Sequence, residues 1–162
     1  MKLVPYDERT ITTAQLTNYS LPDDQLVFSA LPVDAVERAK KDPDLHPLML
    51  LDQSGKLLVF FMLHENEGVA PYSDNPNSLY LRSFSTDYHS QGKGYARKAL
   101  QLLDSYVAEN FPRMNEIVLG VNSKNDPAIH LYQACGFTNE VKRLTTEYGQ
   151  LIVLSKKLKG RG

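Results

Sequence analysis

The sequence predicts an α/β fold: a mixed, mostly antiparallel sheet with a central parallel strand pair and helices on both faces. Three observations carry this reading. Apolar residues recur at strand spacing in several short segments and at helical spacing in others. Two central strands, 80–85 and 117–121, are separated by a long amphipathic helix, and a strand–helix–strand unit of that kind makes a right-handed parallel crossover. Short polar turns join other strands, which makes those pairs antiparallel hairpins.

Taken in order, residues 2–5 read as a short strand, and residues 12–20 and about 32–41 as helices. The second helix starts at Pro32, where a missing N–H is harmless, and spaces Val33, Val36 and Ala39 helically. Pro47–Leu51 and Lys56–Leu63 flank the turn Asp52-Gln-Ser-Gly55 and form a hairpin. Glu65–Asn77 crowds Gly, Pro, Asn and Asp between apolar runs and reads as a long loop. Tyr80–Ser85 is the next strand. Tyr95–Glu109 then carries Ala96, Leu100, Leu103 and Val107 on one stripe. Ile117–Val121 is a strand rich in β-branched residues. Pro127–Ala134 is a short helix with proline in its first turn and Gly136 just past its end. Strands at about 138–145 and 149–155 follow, and the basic stretch 156–162 reads as a solvated end.

The chain has 162 residues, 18 basic and 19 acidic, and 42% are hydrophobic. That is the size and composition of one ordinary domain, spanning 1–162, and it excludes disordered and collagen-like classes. A net charge of −1 lacks the basic surplus of a duplex-binding protein, so no nucleic-acid partner is expected. The single cysteine, Cys135, excludes an intramolecular disulfide and zinc sites of the Cys₄ and Cys₂His₂ kinds. It fits a reducing, cytoplasmic location, and no metal is expected. The longest apolar run, Leu57 to Leu63, has seven residues against the roughly 20 a membrane span needs. No signal-peptide core follows Met1, so no membrane association is expected.

The most informative stretch runs from Ser83 to Ala96. A strand ends, Gly92 and Gly94 follow one residue apart, and a long helix begins at once. Such a turn exposes successive backbone N–H groups, and the helix start adds unpaired amides and a positive dipole end, a setting suited to phosphate. Lys93 and Arg97 could add charge at its rim. The plainer alternative is a glycine turn that only redirects the chain, since Gly-x-Gly alone is weak. A P-loop lysine motif is missing, and a dinucleotide fingerprint would want glycine where Arg97 stands.

Gln91-Gly-Lys-Gly-Tyr-Ala96 resembles the Gln/Arg-x-x-Gly-x-Gly/Ala signature of the GNAT superfamily of acyl-CoA-dependent N-acyltransferases. A second element follows at the family's usual distance: Val121-Asn122, then Asn125, Ala128, Leu131-Tyr132 and Gly136-Phe137. Together these cover roughly 79–137, which the resemblance makes the acetyl-CoA-binding core. Residues 1–78 become the variable acceptor-side half and 138–155 the C-terminal strands. The resemblance implies that backbone amides of Gln91, Gly92, Lys93, Gly94, Tyr95 and Ala96, with Arg97 beside them, hold the pyrophosphate of acetyl-CoA. Phe84, Ser85 and Thr86 would pair with the pantetheine arm and polarise the thioester carbonyl. Asn125 would anchor the arm from the other side, and Tyr132 would be the general acid to the departing thiolate. A phenol with a reference pKa of about 10 is protonated at neutral pH and has that proton to give. Alternatively, Tyr132 is a helix tyrosine packed beside Leu131 and Phe137.

Many relatives place a glutamate on the strand before the glycine turn, where this chain has Tyr80, Arg82, Ser83 and Ser85. The base is therefore unassigned. A water relay is one route; His64 and Glu65 are the side-chain candidates, and Asp87 and His89 read as loop residues. Cys135 is read as packing rather than as an acyl carrier. The acceptor is a small-molecule or peptide amine, and C-terminal edge strands could pair two copies into a homodimer. A second reading keeps the cleft and drops the chemistry: a CoA-binding sensor or interaction module.

Overall fold

The computed structural model describes residues 1–158; the end of the predicted basic tail, 159–162, lies outside them. Seven strands form one sheet in the order β1-β2-β3-β4-β5-β7-β6. They are β1 (Lys2–Pro5), β2 (Leu45–Leu51), β3 (Leu57–His64), β4 (Ser78–Thr86), β5 (Glu116–Asn122), β6 (Asn139–Thr146) and β7 (Gly149–Lys157). The predicted parallel pair is β4 with β5, in the register Ser78–Leu81 against Glu116–Leu119. The pairs β1–β2, β5–β7 and β6–β7 are antiparallel. The helices are α1 (Thr13–Asn18), α2 (Asp23–Leu26), α3 (Pro32–Lys40), α4 (Tyr95–Asn110) and α5 (Asp126–Ala134).

Two compact units divide the chain. The first joins Met1–Leu63 to Arg82–Leu103; the second joins His64–Leu81 to the chain from Asp104 onward, so β4 and α4 contribute residues to both. In the first unit, α1 starts where its sequence allows a reciprocal cap. The Thr12 hydroxyl accepts from the Gln15 amide at 3.1 Å, and the Gln15 side chain accepts from the Thr12 amide at 2.8 Å. The predicted hairpin turn forms around Asp52, whose carboxylate accepts from the Ser54 and Lys56 amides at 2.8 and 2.9 Å. Every residue of β3 is buried, as expected of a strand whose residues 57–63 are continuously apolar. Its Phe60 and Met62 share a core with Leu16, Tyr19, Val36 and Met49.

In the second unit, Val69, Tyr80, Val118 and Val153 form a smaller core, with Tyr72 stacked on Tyr80 at 3.8 Å between ring centroids. Glu116 is buried at the start of β5. It pairs with Lys157 at 2.9 Å and accepts from the Asn75 side chain at 3.3 Å, so the long loop before β4 is held to the sheet. β6 is the outer strand and mostly exposed.

Several elements differ from the sequence reading. α2 falls in a stretch to which the sequence assigns no element, because a four-residue helix is too short to show a period. β4 begins at Ser78 rather than Tyr80, because the Ser78 hydroxyl, polar and therefore unlike a strand residue, is spent on the Asn75 carbonyl at 2.7 Å. β2 begins at Leu45, passing through Pro47, which lies just beyond the last β1 register pair, Pro5 with Leu48. The buried residues of α4 are Ala99, Leu100, Leu103 and Val107, with Ala96 only half-buried.

Candidate functional site

In the first unit, β4 runs on from Arg82 to Thr86, past its last register pair with β5, Leu81 with Leu119. Ser83 there takes φ 58, a left-handed conformation that costs a non-glycine residue about 1–2 kcal/mol. Strain of this kind persists where the surroundings demand it, and it collects at functional sites. Ser83→Gly is therefore expected to raise the melting temperature by about 2–4 °C, and Ser83→Val to lower it. A thermal melt giving the opposite order would remove the strain argument.

The three residues that end β4 are held from several sides. The Phe84 ring packs on Phe61 at 5.4 Å. The Ser85 carbonyl accepts from the Tyr19 hydroxyl at 2.7 Å, and the Thr86 carbonyl accepts from the Gln91 side-chain amide at 3.0 Å. Burial pushes the Tyr19 phenol up, against the pull of its bond to Ser85, so it is protonated and donates. Asp87, buried, accepts from the Ser20 amide at 2.9 Å and the Ser90 hydroxyl at 3.4 Å. Its work is to brace the 3₁₀ turn Tyr88–Ser90. His89 is exposed and meets Tyr88 edge-on.

The glycine turn follows. Gly92 and Gly94 have φ 78 and 83, and a Cβ on either would meet nothing within 4 Å. The conformation demands glycine, and the space over the backbone is open. Lys98 is the first residue to bond back into the helix start, its amide reaching the Gly94 carbonyl at 3.1 Å. Among the described residues, no backbone carbonyl accepts from the amides of Gly92 through Arg97. Lys93 and Arg97 are exposed, and Tyr95 and Ala96 half-buried. A run of unpaired amides with room above it is a nest for an oxyanion, and these residues fit a pyrophosphate on that ground. A cleft of about 230 Å³ lies elsewhere in this unit, over Tyr19, Lys56 and Asp87, and none of the expected cofactor residues lines it.

In the second unit, Asn125 caps α5, its Oδ1 accepting from the Ala128 amide at 3.2 Å. Its side-chain nitrogen is the end left to meet a ligand. Two turns on, Tyr132 is half-buried with its ring edge-on to Phe137, 6.1 Å between centroids. Burial pushes its phenol up from the ordinary tyrosine value, so it keeps its proton well beyond neutral pH. Cys135 is the C-cap, its amide donating to the Leu131 and Tyr132 carbonyls at 3.1 Å. His64 ends β3 and is buried against the Cα of Gly68, and Glu65 leads into the 3₁₀ turn Asn66–Gly68.

The fold thus gathers Phe84–Thr86 and Gln91–Arg97 in one unit, and Asn125 and Tyr132 on one helix of the other. Sequence reasoning missed Tyr19, Ser20 and Gln25, which hold this strand end and turn from residues far away in the chain; no local pattern marks them. No group of three or more His, Cys, Asp or Glu among the described residues could hold a metal ion, and no helix there is long and apolar enough to cross a membrane.

A mixed α/β sheet with a strand-to-helix glycine turn is the arrangement expected from the resemblance to the acyl-CoA-dependent acyltransferases. The sequence model described as "Acetyltransferase (GNAT) family" matches residues 13–137, and the chain belongs to that family. A Bacillus subtilis (strain 168) protein named "Uncharacterized N-acetyltransferase YbbJ" is 36% identical over 141 residues, 86% of this chain and 88% of its own. A "Probable spermine N(1)-acetyltransferase" of Bacillus subtilis subsp. natto is 31% identical over 140 residues, 85% of this chain and 86% of its own. Among solved structures, the spermidine N-acetyltransferase of Vibrio cholerae in complex with CoA and spermine shares the fold. Its TM-score is 0.68 at 19% identity, over 97% of this chain and 95% of its own.

Proposed function

We propose that this protein transfers an acetyl group from acetyl-CoA directly to an amine of a small polyamine-like acceptor. The observation that carries this is the run of unpaired amides from Gly92 to Arg97 beneath open space, in a chain of the GNAT family. The acceptor class is taken from the relative named as a probable spermine acetyltransferase.

In this reading acetyl-CoA supplies an activated acetyl thioester, and the chain supplies placement and proton transfer. The amides of Gly92 to Ala96 receive the pyrophosphate, with Lys93 and Arg97 adding charge at the rim; the Gln91 amide, expected from the sequence to join them, is instead spent on the Tyr88 carbonyl at 3.3 Å. Backbone groups of Phe84 to Thr86 align the pantetheine arm and polarise the acyl carbonyl. The Asn125 side-chain nitrogen holds the arm. Tyr132, kept protonated by burial, gives its proton to the departing sulfur. β4 carries Tyr80, Arg82, Ser83 and Ser85 where many relatives place a glutamate, so in this reading the proton of the acceptor leaves through water. The reading places the protein in the cytoplasm. β6 ends the sheet and offers an edge across which two copies would pair, which light scattering measures.

The test is a screen of polyamines, amino acids, aminoglycosides and peptide N-termini with free thiol as the readout. Polyamine-dependent thiol release is the expected result. CoA binding with no amine-dependent release would replace this reading with that of a CoA-binding module.

A further inference from the structure

The segment linking α1 to α2 is stitched to the loop between β4 and α4 by bonds that span the first unit. The Tyr19 hydroxyl donates to the Ser85 carbonyl at 2.7 Å. The Ser20 amide donates to Asp87 at 2.9 Å, and the Ser20 carbonyl accepts from the Tyr88 amide at 2.8 Å. The last stitch is an amide pair. Gln91 Nε2 donates to Gln25 Oε1 at 3.0 Å, and Gln25 Nε2 donates back to Gln91 Oε1 at 3.5 Å. Gln91 Nε2 also donates to the Thr86 carbonyl at 3.0 Å, so both hydrogens of that amide group are used.

From this geometry we infer that Gln25 is a positioning residue for cofactor binding, acting through Gln91 to preset the glycine turn. The inference rests on the proposed pyrophosphate role of that turn. Gln91 is the last residue before Gly92, and the turn behind it contains two glycines at φ 78 and 83. Glycine loses more freedom on ordering than any other residue, so an unbraced turn must be ordered by the ligand at the expense of affinity. Gln25 comes from a four-residue helix and is hydrogen-bonded to the turn through Gln91. The Tyr19 and Ser20 bonds keep this segment in place when Gln25 is changed, so its variants are expected to fold.

The experiment uses the full chain and compares CoA and acetyl-CoA with S-acetylpantetheine, which has no pyrophosphate. In Gln25→Leu, the Kd for CoA and the KM for acetyl-CoA are expected to rise about three- to tenfold, the size of one net hydrogen bond. The kcat is expected to stay within about twofold, because the brace acts alike on ground and transition states. Turnover of S-acetylpantetheine is expected to stay unchanged. Unchanged CoA affinity in Gln25→Leu overturns the inference, and so does an equal loss with S-acetylpantetheine. If the parent protein itself binds no CoA, the proposed function falls first and the inference falls with it.

Discussion

Tyr132→Phe is expected to lower kcat about a hundred- to ten-thousandfold, the range a well-placed general acid supplies, while CoA affinity stays within about twofold. The substitution removes one oxygen and keeps the ring that packs edge-on against Phe137, so α5 should hold its place. The pH profile sharpens the test. The phenol is raised by burial, so its protonated, donating form is present throughout the neutral range. It is lost only as pH climbs above the ordinary tyrosine value of about 10. The parent protein should therefore show no fall in kcat from this group between neutral pH and about pH 9. Steady-state kinetics across pH measure both effects. Normal turnover of Tyr132→Phe at every pH would leave α5 with a packing tyrosine and no acid.

Gly68→Ala is expected to be the most damaging single-methyl change in the second unit. An added Cβ would sit 2.2 Å from Cγ and Nδ1 of His64 and 2.4 Å from its Cδ2. The ring cannot flex away at its tip, because the clash is with its base, and His64 is only 6% exposed. Overpacking of this kind costs about 2–3 kcal/mol, a fall of roughly 4–10 °C in melting temperature for a chain of this size. Gly55→Ala is the control. Gly55 has φ 87 and nothing within 4 Å of a Cβ, so it bears backbone strain of about 1 kcal/mol alone. A Gly68→Ala melt no lower than that of Gly55→Ala would contradict the packing of His64 on the turn. His64, which with Glu65 is a base candidate in the sequence as part of a polar pair after an apolar strand, packs its ring over that glycine.

The element order was legible because its signals are local. Pro32 starts α3, the Asp52–Gly55 turn closes a hairpin, and the spacing of Leu100, Leu103 and Val107 makes α4. The Gln91–Ala96 turn was legible for the same reason: glycine at two positions, a strand before and a helix after are all adjacent in the chain. The family resemblance rested on about 79–137, whereas the family match reaches back to residue 13. The earlier half shows itself in sequence only as an order of strands and helices.

What the sequence determined by itself, then, is the set of elements and the glycine turn, since each depends on residues within a few positions of one another; the parallel crossover follows from the order strand, long helix, strand. Tertiary structure alone decided how the turn is held. The positive φ of Ser83 carries no sequence mark, and the bonds of Gln25 to Gln91 and Tyr19 to Ser85 each join residues 66 positions apart. Contacts at that separation arise when strands and helices pack, because only then do side chains distant in the chain come within hydrogen-bonding reach.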